Sequence, residues 1–189
     1  MTRLDRSGES GFLMIEVLIT MFILVLGLLG VVGLQARAQQ AENESYQRSQ
    51  ALILLRDMAD RLNANRNNAA TYVTTTPLGT GNNLTVCAAP GNTMEIDKCA
   101  WSAALIGAAE TTGTCNISTG ANCVGAMIGA RGCITKDASA NIYLIEVAWQ
   151  GLAPTAAPPA SVTCGQNLYG AEELRRAVTT VVQIGDLGT

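Results

Sequence analysis

Histidine is absent from this chain of 189 residues. That absence removes the commonest general base and the commonest metal ligand. Aromatic residues make up only 4% of the chain, too few to line a large catalytic cleft. The five prolines all lie at or after Pro77, so nothing before that point is barred from a long helix. No Gly-x-Ser-x-Gly elbow and no phosphate-binding loop occurs. The net charge of −3 offers no basic field for nucleic acid.

Cysteine is missing from the whole N-terminal third. The six present are Cys87, Cys99, Cys115, Cys123, Cys133 and Cys164. An even number confined to one region implies disulfides formed in an oxidising compartment. Sequence does not choose among the possible pairings, although Cys115 and Cys123 enclose a small loop suited to a local bridge. A metal site is the rival interpretation, and it lacks both histidine and any Cys-x-x-Cys pair. Unpaired structural thiols are the alternative if the chain is not exported. No cofactor is implied.

What is present is concentrated at the N-terminus. Met1 to Gly11 is short and polar, with Arg3 and Arg6 offset by Asp5 and Glu9. Phe12 to Leu34 then carries a single ionisable group, Glu16. As a helix it is long enough for a bilayer core of about 30 Å, and its Gly27, Gly30 and Gly33 are tolerated in membrane helices. An ordinary secretory signal has a shorter apolar core followed by a small-residue cleavage site. A plain signal anchor leaves Glu16 unexplained, because a charge in the membrane costs about 2.5–3.5 kcal/mol on insertion scales.

Gly11-Phe12-Leu13-Met14-Ile15-Glu16 resembles the processing site of class III signal peptides, those of type IV prepilins. The resemblance implies that a prepilin peptidase cuts after Gly11 and N-methylates Phe12. Glu16 then becomes the fifth residue of the mature chain. It also implies a role for Glu16: its carboxylate pairs with the amino group of a neighbouring subunit entering the filament. Opposite charges attract far more strongly in a low-dielectric setting than in water, so such a pair can set register. The bland alternative seats Glu16 at the headgroup level near the apolar boundary.

Gln35 to Asn65 lacks proline and glycine and is rich in helix formers, so one helix is expected from Phe12 to about Asn65, roughly 80 Å at 1.5 Å per residue. Ala51, Leu55, Met58 and Leu62 form an apolar stripe, widened by Leu54 and Ala59. Arg56, Asp57, Asp60 and Arg61 line the other side. The Asn-rich run 63–68 ends the helix. Residues 71–83 read as loop, and Trp101–Ala109 as a short helix. Strands are expected weakly at 132–135, strongly at 141–150 by alternation, and at 177–184 by β-branching, with a hairpin turn at 136–140. The fold class is therefore α+β, a long N-terminal helix packed on a small antiparallel sheet. The expected divisions are a leader at 1–11, an apolar helix at 12–34, an amphipathic continuation at 35–66 and a disulfide-bearing head at 67–189.

Tyr46-Gln-Arg-Ser-Gln-Ala51, with Asp57-Met-Ala-Asp-Arg-Leu-Asn-Ala-Asn-Arg66, is similar to the PilV group of minor pilins, the type IV pilus modification proteins. Val147-Ala-Trp149 and Glu172-Glu-Leu-Arg-Arg176 are similar too. The resemblance implies a low-abundance subunit that primes or modifies the pilus, acting in biogenesis, twitching motility and adhesion. Its implied partners are the prepilin peptidase, other minor pilins, the major pilin and, before assembly, the inner membrane. It is held there single-pass with a cytoplasmic N-terminus and a periplasmic head, and later sits in the extracellular pilus. No nucleic acid and no small-molecule substrate is implied. Many major pilins have a stem proline and a two-cysteine C-terminal loop, whereas this chain has no stem proline and six cysteines, which favours a minor pilin. A pseudopilin of a type II secretion system shares the processing site, stem and Glu16. A membrane-anchored enzyme is the alternative of another class, but Glu172 and Glu173 are adjacent and diverge on a helix. A surface-binding head is permitted by the Thr/Asn/Gly-rich loops.

Overall fold

The computed structural model describes residues 10–82, 87, 91–108, 115, 123 and 125–185, with side chains from Met14 onward. Helix α1 runs from Ser10 to Ala64 as 55 unbroken residues. A 3₁₀ segment, Arg66–Tyr72, follows. Then come strand β1 (Leu78–Gly79), helix α2 (Thr93–Leu105), β2 (Ile128–Lys136), β3 (Ile142–Gln150), a 3₁₀ turn (Glu172–Leu174) and β4 (Arg175–Gln183). The strands form one antiparallel sheet in the order β1-β2-β3-β4. The α+β arrangement expected from sequence is thus the one observed. Contacts divide the chain into two units, residues 1–43 and residues 44–189.

In the second unit the apolar stripe of α1 is the floor of the core. Ala51, Met58 and Leu62 are wholly buried and Leu55 nearly so. They join a cluster with Tyr143, Ile145, Val147 and Trp149 from alternate positions of β3. The opposite face of β3 carries Ala148, which packs with Cys133, Cys164 and Tyr169 in a smaller second core. Tyr143–Trp149 alternation therefore assigns two faces, as a strand's period of two requires.

Helix α2 begins at Thr93, earlier than the expected Trp101. The cause is a cap: the Asn92 side chain accepts the Glu95 N–H at 3.0 Å, while the Glu95 carboxylate accepts the Gly91 N–H at 2.6 Å. The helix ends at Leu105, and Gly107 follows with φ +73°. Trp101 is its anchor. Its indole N–H donates to the Leu54 carbonyl of α1 at 2.8 Å, and its ring fills the space above Gly132 of β2. Any Cβ at Gly132 would collide with that ring and approach Leu105 Cδ1 to 2.9 Å.

The segment expected to be loop at 71–83 contributes β1. Leu78 and Gly79 pair with Gly132 and Arg131. Gly79 has φ +94°, and a side chain there would meet the Ala130 carbonyl, so only glycine can close this edge. Strand β4 begins at Arg175, two residues before the expected start, because Glu172–Leu174 turns the chain directly into it.

Candidate functional site: an apolar helix with one acid

Gly11 and Phe12 lie in the first turns of α1, and Glu16 follows four residues after Phe12. Glu16 is exposed. So are the large apolar residues from Met14 to Leu34, with Met14 at 73% and Leu34 at 70%. Mean hydropathy reaches 2.9 over the most apolar stretch of this helix, long and apolar enough to cross a membrane. Fully burying one Leu or Ile side chain is worth about 1.5–3 kcal/mol. A rod of such residues left in water is strongly unfavourable, and patches of this size mark membrane or protein contact. Thr20 does not interrupt it, since its hydroxyl donates to the Val17 carbonyl at 2.9 Å. Glu16 is the one charge on this surface, and no described residue pairs with it.

The cysteines pair as Cys87–Cys99, Cys115–Cys123 and Cys133–Cys164, with no free thiol. The local Cys115–Cys123 bridge was suggested by spacing; the other two pairings had no signal in the sequence. Cys133, Cys164 and Glu146 converge closely. The two sulfurs are bonded to each other, so the cluster is a disulfide beside a buried acid and not a set of thiolate ligands.

Many of the described polar groups of the second unit are held by internal partners. Glu172 and Glu173, the adjacent carboxylates, do not act as a pair. Glu172 accepts the Asn167 N–H at 2.7 Å and pairs with the buried Arg175 at 2.6 Å. The Asn167 amide, then Arg175, hold its carboxyl below the ordinary range. Arg175 also donates to the Val162 and Cys164 carbonyls, fastening the long connection before β4 to the sheet. Glu146 is 1% exposed and accepts the Cys164 N–H at 3.1 Å.

A second network escaped the sequence because its members are far apart in the chain. Asp97 of α2 accepts Arg61 of α1 at 2.9 Å and also the Tyr72 hydroxyl. Arg61 reaches Asp57 as well, at 3.0 Å. Lys98 donates to the Thr71 and Val73 carbonyls, and burial lowers its pKa. These contacts clamp the 3₁₀ segment between the helices.

The family model described as "Tt1218-like: Type IV pilin Tt1218" matches residues 33–104, from the end of the apolar stretch to the last turn of α2. It does not include Gly11, Phe12 or Glu16, so the match and the N-terminal motif are separate signals. No curated protein and no solved structure matches the chain. Over those residues the chain is similar to a type IV pilin.

Proposed function

We propose that this chain is a minor pilin of the PilV group, a subunit that primes or modifies the type IV pilus near its tip. The observation that carries this reading is the exposed apolar helix from Met14 to Leu34 bearing the single acid Glu16. In lipid that surface is solvated by acyl chains; in a filament it is covered by like helices. A leader of residues 1–11 is removed after Gly11, and Phe12 becomes the methylated first residue. Residues 12–34 serve first as a single-pass inner-membrane anchor, with the N-terminus cytoplasmic and the head periplasmic. The same residues then form part of the filament core. Glu16 answers the amino group of a neighbouring subunit, and the contact sets axial register. Three disulfides suit an exported head, and the unbroken, proline-free α1 favours a minor over a major pilin. Twitching motility and adhesion follow from that place in the pilus.

Mass spectrometry of sheared pili tests the proposal. The expected result is a chain starting at methylated Phe12, carrying three disulfides, in low copy beside a major pilin. A chain that keeps Met1, or one that has lost residues 12–34, overturns it. Copurification with secretion-system subunits in place of pilus subunits reassigns the chain to the pseudopilins.

A further inference from the structure

Strand β4 forms one edge of the sheet, and the other edge, β1, has only two residues. The register of β3 and β4 is unbroken from Ile142↔Gln183 to Gln150↔Arg175. Two flanking bonds fix its phase: Ile184 N–H donates to the Asn141 carbonyl and Gly151 N–H to the Leu174 carbonyl. Even-numbered residues of β4 therefore bond to β3. The N–H and C=O groups of Ala177, Thr179, Val181 and Gln183 face outward, and no described residue meets them. The usual protections of such an edge are a charge, a proline or a bulge. Ala177 to Gln183 has none of these, and Val181 is 60% exposed.

At the start of this edge lies a cleft lined by Glu44, Ser45, Arg48, Trp149 and Arg176. Glu44 is occupied, accepting the Leu152 N–H at 3.1 Å and Arg176 at 3.3 Å. Arg48 is exposed and has no partner among the described residues. Trp149 is 3% exposed, and its indole N–H has no acceptor. A buried donor left unmet costs about 1–3 kcal/mol, so native structures seldom keep one without cause. Arg48 is thus an unpaired cation in a cleft whose acid, Glu44, is already engaged by Arg176 and the Leu152 N–H.

We propose that the β4 edge takes an extended strand from a different polypeptide, and that an acidic side chain of that strand enters the Arg48–Trp149 cleft. The unmet groups recur at every second residue, which only another extended backbone can match. A second copy added in the same orientation would have to offer β1, which is too short to cover Ala177 to Gln183. The side chains beside the edge, Thr179, Val181 and Gln183, are uncharged, so the partner strand is Thr/Val-like in character with an acid at the Arg48 end.

The test uses the full chain in detergent micelles and a short synthetic peptide of alternating Thr and Val, blocked at both ends, with one terminal Glu. Amide exchange at Ala177, Thr179, Val181 and Gln183 is expected to slow about tenfold or more at saturating peptide. Val178, Thr180 and Val182, already bonded to β3, are expected to stay unchanged. Val181→Pro removes an outward N–H and spares the β3 ladder, so it should abolish the protection. N-methylation of the peptide amides that face β4 should do the same with the protein untouched, which covers the case of a variant that misfolds. Changing the peptide's Glu to Gln should weaken binding several-fold, as should Arg48→Ala. No slowing at millimolar peptide, or undiminished binding of the methylated peptide, overturns the proposal. Protection that appears without peptide and grows with protein concentration shows that β4 pairs with itself and overturns the choice of partner. Equal affinity of the Glu and Gln peptides removes the acid from the cleft. None of these results depends on whether the chain is a pilin.

Discussion

At the scale of single residues, two positions show how little room the second unit leaves. Gly132 is a notch for the Trp101 ring, and Trp101 in turn holds the Leu54 carbonyl of α1. Gly132→Ala is expected to cost about 1–3 kcal/mol, since neither β2 nor the indole can retreat without losing contacts elsewhere. Urea unfolding of the two proteins measures it, and a loss under about 0.5 kcal/mol would mean that α2 is free to shift. Glu146 makes the opposite kind of demand. Burial raises its pKa, against the pull of the Cys164 and Thr163 amides and the Arg175 charge. An acid raised in the folded state takes up its proton more readily folded than unfolded. It therefore favours the fold below its unfolded pKa, and this contribution fades as pH rises through the raised value. Glu146→Gln keeps an acceptor for the Cys164 N–H and removes the titration. The fall in Tm between pH 5 and pH 8 should shrink in the variant; a fall of unchanged size would place the pH response in another group.

At the scale of elements, what the sequence displayed depended on how local each determinant was. Helix α1 was legible because a proline-free, apolar-then-amphipathic run allows little else, and β3 because its two faces differ. The first half of α2 was missed for a local reason. Its residues Thr93 to Lys98 are mixed in polarity, and the Asn92–Glu95 cap was the only marker. Strand β1 has no sequence signal at two residues; it exists because β2 is there to pair with it. The N-terminal motif was readable as a contiguous pattern, whereas Asp97, Arg61 and Tyr72 meet across 36 and 25 positions and left no trace in spacing. The disulfides follow the same rule. Cys133–Cys164 closes a separation of 31 residues and Cys115–Cys123 one of 8. Loop-closure entropy then assigns about 3.7 kcal/mol to the first and about 2.5 to the second. Replacing each pair by alanine and comparing urea midpoints should show the larger loss for Cys133–Cys164. The reverse order would show that the shorter bridge does more than restrict the unfolded chain.

At the scale of the whole molecule, the chain combines a surface that cannot stay in water with a unit whose polar groups are mostly satisfied internally. The apolar surface is the part that must find a partner, and on the proposed reading Glu16 gives that partner a position. Glu16→Ala should therefore be processed normally and enter pili poorly, seen as a fall of about tenfold in sheared fractions with mature protein accumulating in the membrane. Undiminished pilus content would show that the charge is dispensable. Gly11→Val should instead leave a full-length precursor in the membrane, and mature-sized protein from that variant would move the cleavage site.

The chain's two tryptophans are Trp101 and Trp149, and both are buried in the second unit. Native fluorescence is consequently blind to the apolar rod and reports the head alone, whether the rod sits in detergent, lipid or a filament. The two chromophores also differ in kind: one indole is already hydrogen-bonded to α1, while the other borders an open cleft. An occupant of that cleft should alter the emission of Trp149 and leave that of Trp101 as it was, so the protein carries a built-in optical gauge for its own docking.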